Sequence, residues 1–217
     1  MSCMPKPEAP ISGSPERLDV RGAVGANLST PLDTEGPIVQ GARTVLEHIE
    51  AAERSVVHRV QAICCGGVLC RLAIMINHLG NGWLYPLLGI AIMARIGWDS
   101  YHVILTATLA VGIAHVIYLF LKRAVARDRP FVRDPALSCL SRPLDRHSFP
   151  SGHCMTLTAV LVPLTMALPD TTAPTILLWF LLAWARLVSA HHYPSDIVAG
   201  ALLGFLVTVP VSAVLLR

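Results

Sequence analysis

Charge is scarce in this sequence. Asp, Glu, Lys and Arg make up 14% of 217 residues, against about 25% in a soluble globular domain. Hydrophobic residues reach 53%, more than one soluble core needs, and the length suits a single domain, so the composition points to a bilayer. The formal net charge is only +3, and no basic tract is interleaved with aromatics, which excludes a nucleic-acid partner. A basic segment leading into an apolar h-region is also missing, so the N-terminus does not read as a secretory signal peptide. The six cysteines form no CxxC pair with matching histidines, which excludes a zinc site. Cys64 and Cys65 read as lipid- or core-facing thiols, and the one conceivable bridge joins Cys139 to Cys154 on an oxidising face.

What is present falls into three regions. Residues 1–41 carry Pro5, Pro7, Pro10, Pro15, Pro31 and Pro37 without apolar periodicity, the composition of a disordered tail. Over residues 42–60, Val45, Leu46, Ile49, Ala52, Val56 and Val60 recur at helical spacing with acidic and basic residues between them. That pattern predicts an amphipathic helix lying at a membrane surface or against a helical bundle. Residues 61–217 form the transmembrane domain. Apolar stretches run over Trp83–Ile96, Tyr101–Leu121, Cys154–Leu168, Ile176–Ala190 and Ile197–Leu216. The Tyr101–Leu121 stretch matches the ~20 residues that a helix needs to cross the hydrocarbon core. Gln61–Ile76 either spans the bilayer or lies along it. The predicted fold is therefore all-α, an integral membrane helical bundle with five or six transmembrane helices. Tight turns are expected at Trp98–Ser100 and Asp170–Ala173. The Lys122–Pro150 connection is long enough to be functional or disordered.

Ionisable groups beside membrane helices are costly and point to function. Here they form three clusters: Lys122 with Arg129-Pro130, then Pro150-Ser151-Gly152-His153, then Ala185-Arg186 followed by His192 and Asp196. If the four helical segments between and after them all cross, the three clusters share one membrane face. Gly152 and His153 open a helix, where free N–H groups and the helix dipole favour an anion. Lys122 and Arg186 close the helices that run toward that face. Two positive helix ends and three cations (Lys122, Arg129, Arg186) thus converge on a phosphate-sized anion site. Phosphoryl transfer needs a nucleophile, charge compensation and a proton for the leaving oxygen. His192 suits the nucleophile, with Asp196 four residues on to hold its ring. His153 is left as general acid. Lys122, Arg129, Arg186, the Ser151 hydroxyl and the Gly152 N–H would bind the phosphate.

The three clusters resemble the signature of the type-2 phosphatidic acid phosphatase superfamily, whose pattern is Lys-x6-Arg-Pro, Pro-Ser-Gly-His and Ser-Arg-x5-His-x3-Asp. The match covers roughly residues 82–217. The resemblance implies a helical membrane enzyme with a phosphohistidine at His192, an acid at His153, and neither metal nor other cofactor. Its substrate would be a lipid phosphate or diphosphate of the phosphatidate, phosphatidylglycerophosphate or isoprenyl diphosphate class. One position departs from the pattern: Ala185 stands where the family usually has serine, which removes one hydroxyl near the phosphate.

Other ionisable residues read more plainly. Arg123 is expected to be an interfacial anchor, His191 a bystander to His192, and His78, His102 and His115 packed or interfacial residues. Arg133, Arg142 and Arg146 in the long loop either touch a headgroup or are solvated. A lipid phosphotransferase would use the same residues, and an inactive membrane scaffold would not need His153, His192 and Asp196. Haloperoxidase chemistry, found in soluble relatives, does not suit this apolar chain. The expected location is the cytoplasmic membrane of the cell, multi-pass, among membrane lipids. The site is expected at the outer face if Gln61–Ile76 crosses and the tail is cytoplasmic.

Overall fold

The computed structural model describes the backbone of residues 37–64 and 66–216, with side chains from Glu47 onward, so the expected tail lies outside the described residues as far as position 36. The chain divides into two compact units, Met1–Glu50 and Ala51–Arg217. Of the first, the described part is a helical run from Pro37. Among the described residues all regular structure is helical.

The first helix, α1 (Pro37–Cys64), covers the amphipathic segment and extends past it at both ends. Its buried positions are Glu53, Val57, Gln61 and Cys64, while Ile49, Val56 and Ile63 are exposed. From Ala51 on, the docked face is therefore mixed: Glu53 and Gln61 bury hydrogen-bonding groups beside the apolar Val57 and Cys64, because those groups find partners on protein, while Val56 and Ile63 face outward.

The apolar stretch Gln61–Ile76 is not one helix. The chain turns at Gly66, whose φ of 115° is a backbone region open to glycine, and α2 (Val68–His78) starts anew. Gln61 Nε2 donates to the Val188 carbonyl at 2.9 Å, and Asn77 Nδ2 donates to the Ala185 carbonyl at 3.1 Å. Both ends of the stretch thus meet the same end of another helix. A wide π turn, Leu79–Trp83, then leads into α3 (Leu84–Ile96).

The remaining helices are α4 (Ser100–Val125), α5 (Pro130–Arg133), α6 (Gly152–Ala167), α7 (Thr172–Val188) and α8 (Pro194–Leu215). Short 3-10 turns at Gly97–Asp99 and Pro169–Thr171 join α3 to α4 and α6 to α7, and an Arg95–Asp170 ion pair ties the two connections together. Among the described residues, three stretches are long and apolar enough to cross a membrane: one within Val68–Arg133, Pro169–Val188 and Pro194–Leu215, with α6 a shorter apolar helix.

Helices α4, α6 and α8 pack most extensively against one another. Small residues allow it: Ala110 and Ala114 of α4 are fully buried, and α8 offers Gly200 and Gly204. A Cβ on Gly200 would fall 2.3 Å from the Ser151 carbonyl oxygen, and one on Gly204 would fall 2.5 Å from that of Met155. This is the small-xxx-small contact by which membrane helices approach closely. Because the obstacle is backbone, Gly200→Ala is expected to destabilise the bundle by ~1–3 kcal/mol, the usual cost of overpacking. A lowered melting temperature in detergent, with lost activity, checks this; an unchanged melting curve refutes so close an approach.

The long connection between α4 and α6 is ordered by α1. His58 Nε2 lies 2.7 Å from Asp134 Oδ2, and the Gln61 amide both donates to the Ser138 carbonyl and accepts its N–H, each at 2.8 Å. Leu137 is buried with Val57, Ala190 and Tyr193. No disulfide joins Cys139 to Cys154; the Cys139 thiol meets the Ser141 carbonyl, and Cys154 is buried in α6.

Candidate active site

Each sequence cluster sits at a helix end: Lys122 in the last turn of α4, Arg129 capping α5, Ser151 capping α6, Arg186 in the last turn of α7, and Asp196 in the first turn of α8. The structure brings them together. Lys122 Nζ lies 3.4 Å from the Pro150 carbonyl, and the Ser151 N–H donates to the Asp196 carbonyl at 2.9 Å. Arg129 Nη1 donates to the His191 carbonyl at 2.7 Å and lies 3.4 Å from His192 Nε2. Lys122 Nζ and Arg129 Nη2 share one carboxylate oxygen, Asp145 Oδ1, at 3.0 and 2.5 Å.

His192 is 1% exposed. Its Nδ1 is 2.8 Å from the Ser148 carbonyl oxygen, which only accepts, so Nδ1 carries the hydrogen and Nε2 keeps its lone pair. Burial, then the positive charges of Arg129, Arg186 and Lys122, hold this imidazole well below its ordinary pKa, so it is neutral. The expected pairing with Asp196 takes a different form, since Oδ2 of Asp196 is 3.8 Å from Nδ1. That oxygen accepts the Tyr193 N–H at 2.8 Å, and Oδ1 accepts from Arg127 at 2.8 Å. The cause is local: α8 begins at Pro194, so His192 precedes the helix and the four-residue spacing does not stack the two side chains. Asp196 holds the turn that carries His192, and Ser148 holds the ring.

Arg127 extends this support. It also donates to Ser195 Oγ at 2.8 Å and Glu53 Oε2 at 2.7 Å, while Glu53 Oε1 accepts the Ser195 N–H at 2.7 Å. The guanidinium lies 3.9 Å from the Tyr193 ring centre. Burial alone would raise the Glu53 carboxyl pKa, but hydrogen bonds from Arg127 and Ser195 outweigh it and hold the group below its usual value. Glu53 of α1 thereby clamps the start of α8.

His153 Nε2 is 2.7 Å from Asn81 Oδ1, and both line a polar cavity of about 210 Å³ with His115, Tyr118, Asp145 and Gly152. Tyr85 and Thr156 border this cavity and also line an apolar groove of about 300 Å³ along α3, α4 and α6. Arg186 Nη1 donates to Asn77 Oδ1 at 2.8 Å. Its Nε and the Ser151 hydroxyl are buried without a hydrogen-bond partner. The His191 ring is turned away, with Nε2 2.7 Å from the Ser141 carbonyl, and burial with the Arg186 charge lowers its pKa to about 3.

Sequence reasoning passed over Asn77, Asn81, Tyr118, Arg127, Asp145 and Ser148. Asn77 and Asn81 were readable, as amides four apart in an apolar run. Tyr118, Arg127 and Ser148 neighbour the first two clusters in sequence, but their contacts to Asp145, Asp196 and His192 span 27, 69 and 44 positions and leave no local pattern.

Three cations and two imidazoles thus gather at one end of a bundle of apolar helices. The PAP2 superfamily profile matches residues 102–216, and the chain belongs to that superfamily. It is similar to decaprenylphosphoryl-5-phosphoribose phosphatase of Mycolicibacterium smegmatis, 41% identical over 98 residues covering 42% of this chain and 51% of the relative. The chain thus spans about half the length of that relative. The Mycobacterium tuberculosis protein of the same name is 31% identical over 137 residues, 59% of this chain and 71% of the relative. Among solved structures, a transmembrane PAP2-type phosphatidylglycerolphosphate phosphatase from Bacillus subtilis shares the fold with a TM-score of 0.57 and 23% identity, covering 77% of this chain and 86% of that one. Aquifex aeolicus LpxE does so at 0.60 and 21%, covering 72% and 92%.

Proposed function

We propose that this protein is a membrane phosphatase that hydrolyses a terminal phosphate from a lipid-linked sugar phosphate through a phosphohistidine. One observation carries the reading: the lone pair of His192 Nε2 opens onto Arg129, inside a cluster whose Arg186 Nε and Ser151 Oγ are buried donors lacking an acceptor. A phosphoryl group supplies acceptors to those donors and charge to Lys122, Arg129 and Arg186. Nε2 attacks phosphorus, the bond to the leaving oxygen breaks, and His153 donates that oxygen its proton. Water then attacks the phosphohistidine, His153 takes the water's proton, and inorganic phosphate leaves.

The cavity beside His153 would receive the leaving alcohol. Its amide, imidazole and phenol suit a polyhydroxylated headgroup, and the adjoining apolar groove suits a lipid chain. The names of the two mycobacterial relatives support the same class. Five crossings, α3, α4, α6, α7 and α8, follow if Gln61–Asn77 stays at the site end, with α1 lying in the interface of the cytoplasmic membrane.

The test is a detergent-solubilised assay of the full chain over a polyprenyl-phosphoryl pentose phosphate, phosphatidylglycerophosphate, phosphatidate and an isoprenyl diphosphate, with and without chelator. The expected result is release of inorganic phosphate, highest kcat/KM for the sugar phosphate, no loss on chelation, and inhibition by vanadate. Dependence on added magnesium, or phosphate recovered on a second lipid and not in water, overturns it.

A further inference from the structure

Asp145 is an anion placed among the cations that the proposed reaction needs. Its Oδ1 bridges Lys122 Nζ at 3.0 Å and Arg129 Nη2 at 2.5 Å, and its Oδ2 accepts the Tyr118 hydroxyl at 2.8 Å. The same Arg129 reaches His192 Nε2 with its other terminal nitrogen, at 3.4 Å. Tyr118 adjoins the α6 start closely enough that a Cβ on Gly152 would fall 3.0 Å from its hydroxyl. The carboxylate therefore lies between the attacking imidazole and the N-terminus of α6, on the two cations sequence reasoning gave to phosphate. Its side chain is 39% exposed and sits in the loop between α5 and α6, whereas Lys122 and Arg129 are buried on fixed elements. Arg129 Nε also holds the Asp145 backbone carbonyl at 3.2 Å, so of the groups in this contact it is the exposed carboxylate that can swing away while the loop stays.

We propose that Asp145 is a stand-in for the substrate phosphate: its carboxylate holds Lys122 and Arg129 until a phosphoryl group displaces it. The inference rests on the phosphatase reading and deepens it, because it makes Asp145 a determinant of how tightly that site takes phosphate. Burial would raise the Asp145 carboxyl, but the charges of Lys122 and Arg129 outweigh it and keep its pKa below the usual carboxylate value. The group is thus an anion at neutral pH. A bound phosphate must expel it or meet a like charge at contact, which costs affinity. Lys122 and Arg129, both buried, would be costly without a counter-charge, so a displaceable carboxylate offsets part of their charge at rest and sets a threshold for occupancy. A fixed buttress, the other role open to Asp145, would orient Arg129 and remain in place when phosphate arrives.

Two measurements separate these roles. Binding of inorganic phosphate and of orthovanadate to the full chain in detergent, followed by calorimetry and by inhibition of hydrolysis, is compared between wild type and Asp145→Asn. The stand-in predicts affinities tighter in the variant by on the order of tenfold and a KM that falls with them. Unchanged or weaker affinity in a folded variant overturns the proposal and leaves the phosphatase reading intact. An infrared difference spectrum on vanadate binding reads the carboxylate itself: a shifted carboxylate stretch is expected in wild type and is expected to be missing from Asp145→Asn. No such difference between the two spectra overturns the stand-in. Failure of both proteins to bind either anion overturns the stand-in and the phosphatase reading together.

Discussion

His192→Ala is expected to abolish phosphate release, by ~10⁴-fold or more, the scale on which enzymes lose rate when a covalent nucleophile is removed. The geometry concentrates this role on one atom. With Nδ1 committed to the Ser148 carbonyl, Nε2 is the basic nitrogen, and it opens onto Arg129. The neighbouring His191 turns its Nε2 to the Ser141 carbonyl in the long connection instead. Labelling with substrate carrying radioactive phosphate, then denaturing in base, should trap a base-stable, acid-labile phosphoprotein in wild type and none in the variant. Persistent labelling of the variant would transfer the nucleophile elsewhere. The pH dependence follows from the sign of the shift. A pKa well below the ordinary histidine value leaves the imidazole unprotonated as pH falls. After correction for titration of the substrate phosphate, kcat/KM should therefore show no acid limb near pH ~6.5. A limb there would mean that the free enzyme's nucleophile is solvated and ordinary.

That prediction draws on both what the sequence shows and what it hides. The three clusters were legible because charged and imidazole side chains stand out at the ends of apolar runs, and Tyr101–Leu121 was legible because a membrane fixes helix length. The periodicity of α1 was legible too, yet not its direction of facing. In a soluble chain the apolar stripe goes inward, whereas here Glu53 and Gln61 are buried and Ile49 and Val56 are not. Gly66 and Gly67 marked the break before α2, but hydropathy passes through glycine without interruption. The support of His192 was hidden for a different reason. Its partner is a backbone carbonyl at Ser148, which any residue type would supply. The Asp196 spacing suggested a helical pair in a segment where the helix has not yet begun. Arg127 and Glu53 lie 74 positions apart, and nothing local in either joins them.

His153→Ala is expected to slow hydrolysis of a lipid sugar phosphate by ~10²–10⁴-fold, the usual worth of a positioned general acid, and to do so unevenly across substrates. The ring stands at the start of α6, fixed against Asn81 at 2.7 Å, at the edge of the cavity where the leaving alcohol would lie. A sugar hydroxyl leaves as a strongly basic alkoxide unless it is protonated as the bond breaks, so it needs the acid. A nitrophenolate leaves without that help. The ratio of wild-type to variant kcat/KM, which reports phosphorylation of His192 and not the later hydrolysis that His153 also serves, should therefore be large for the sugar phosphate and should shrink toward unity for p-nitrophenyl phosphate, while both proteins form the phosphohistidine from the activated substrate. A ring that only bound the phosphate charge would instead cost both substrates the same factor, since the phosphoryl group is common to them. Equal losses would assign His153 to binding and leave the leaving oxygen's proton without a donor.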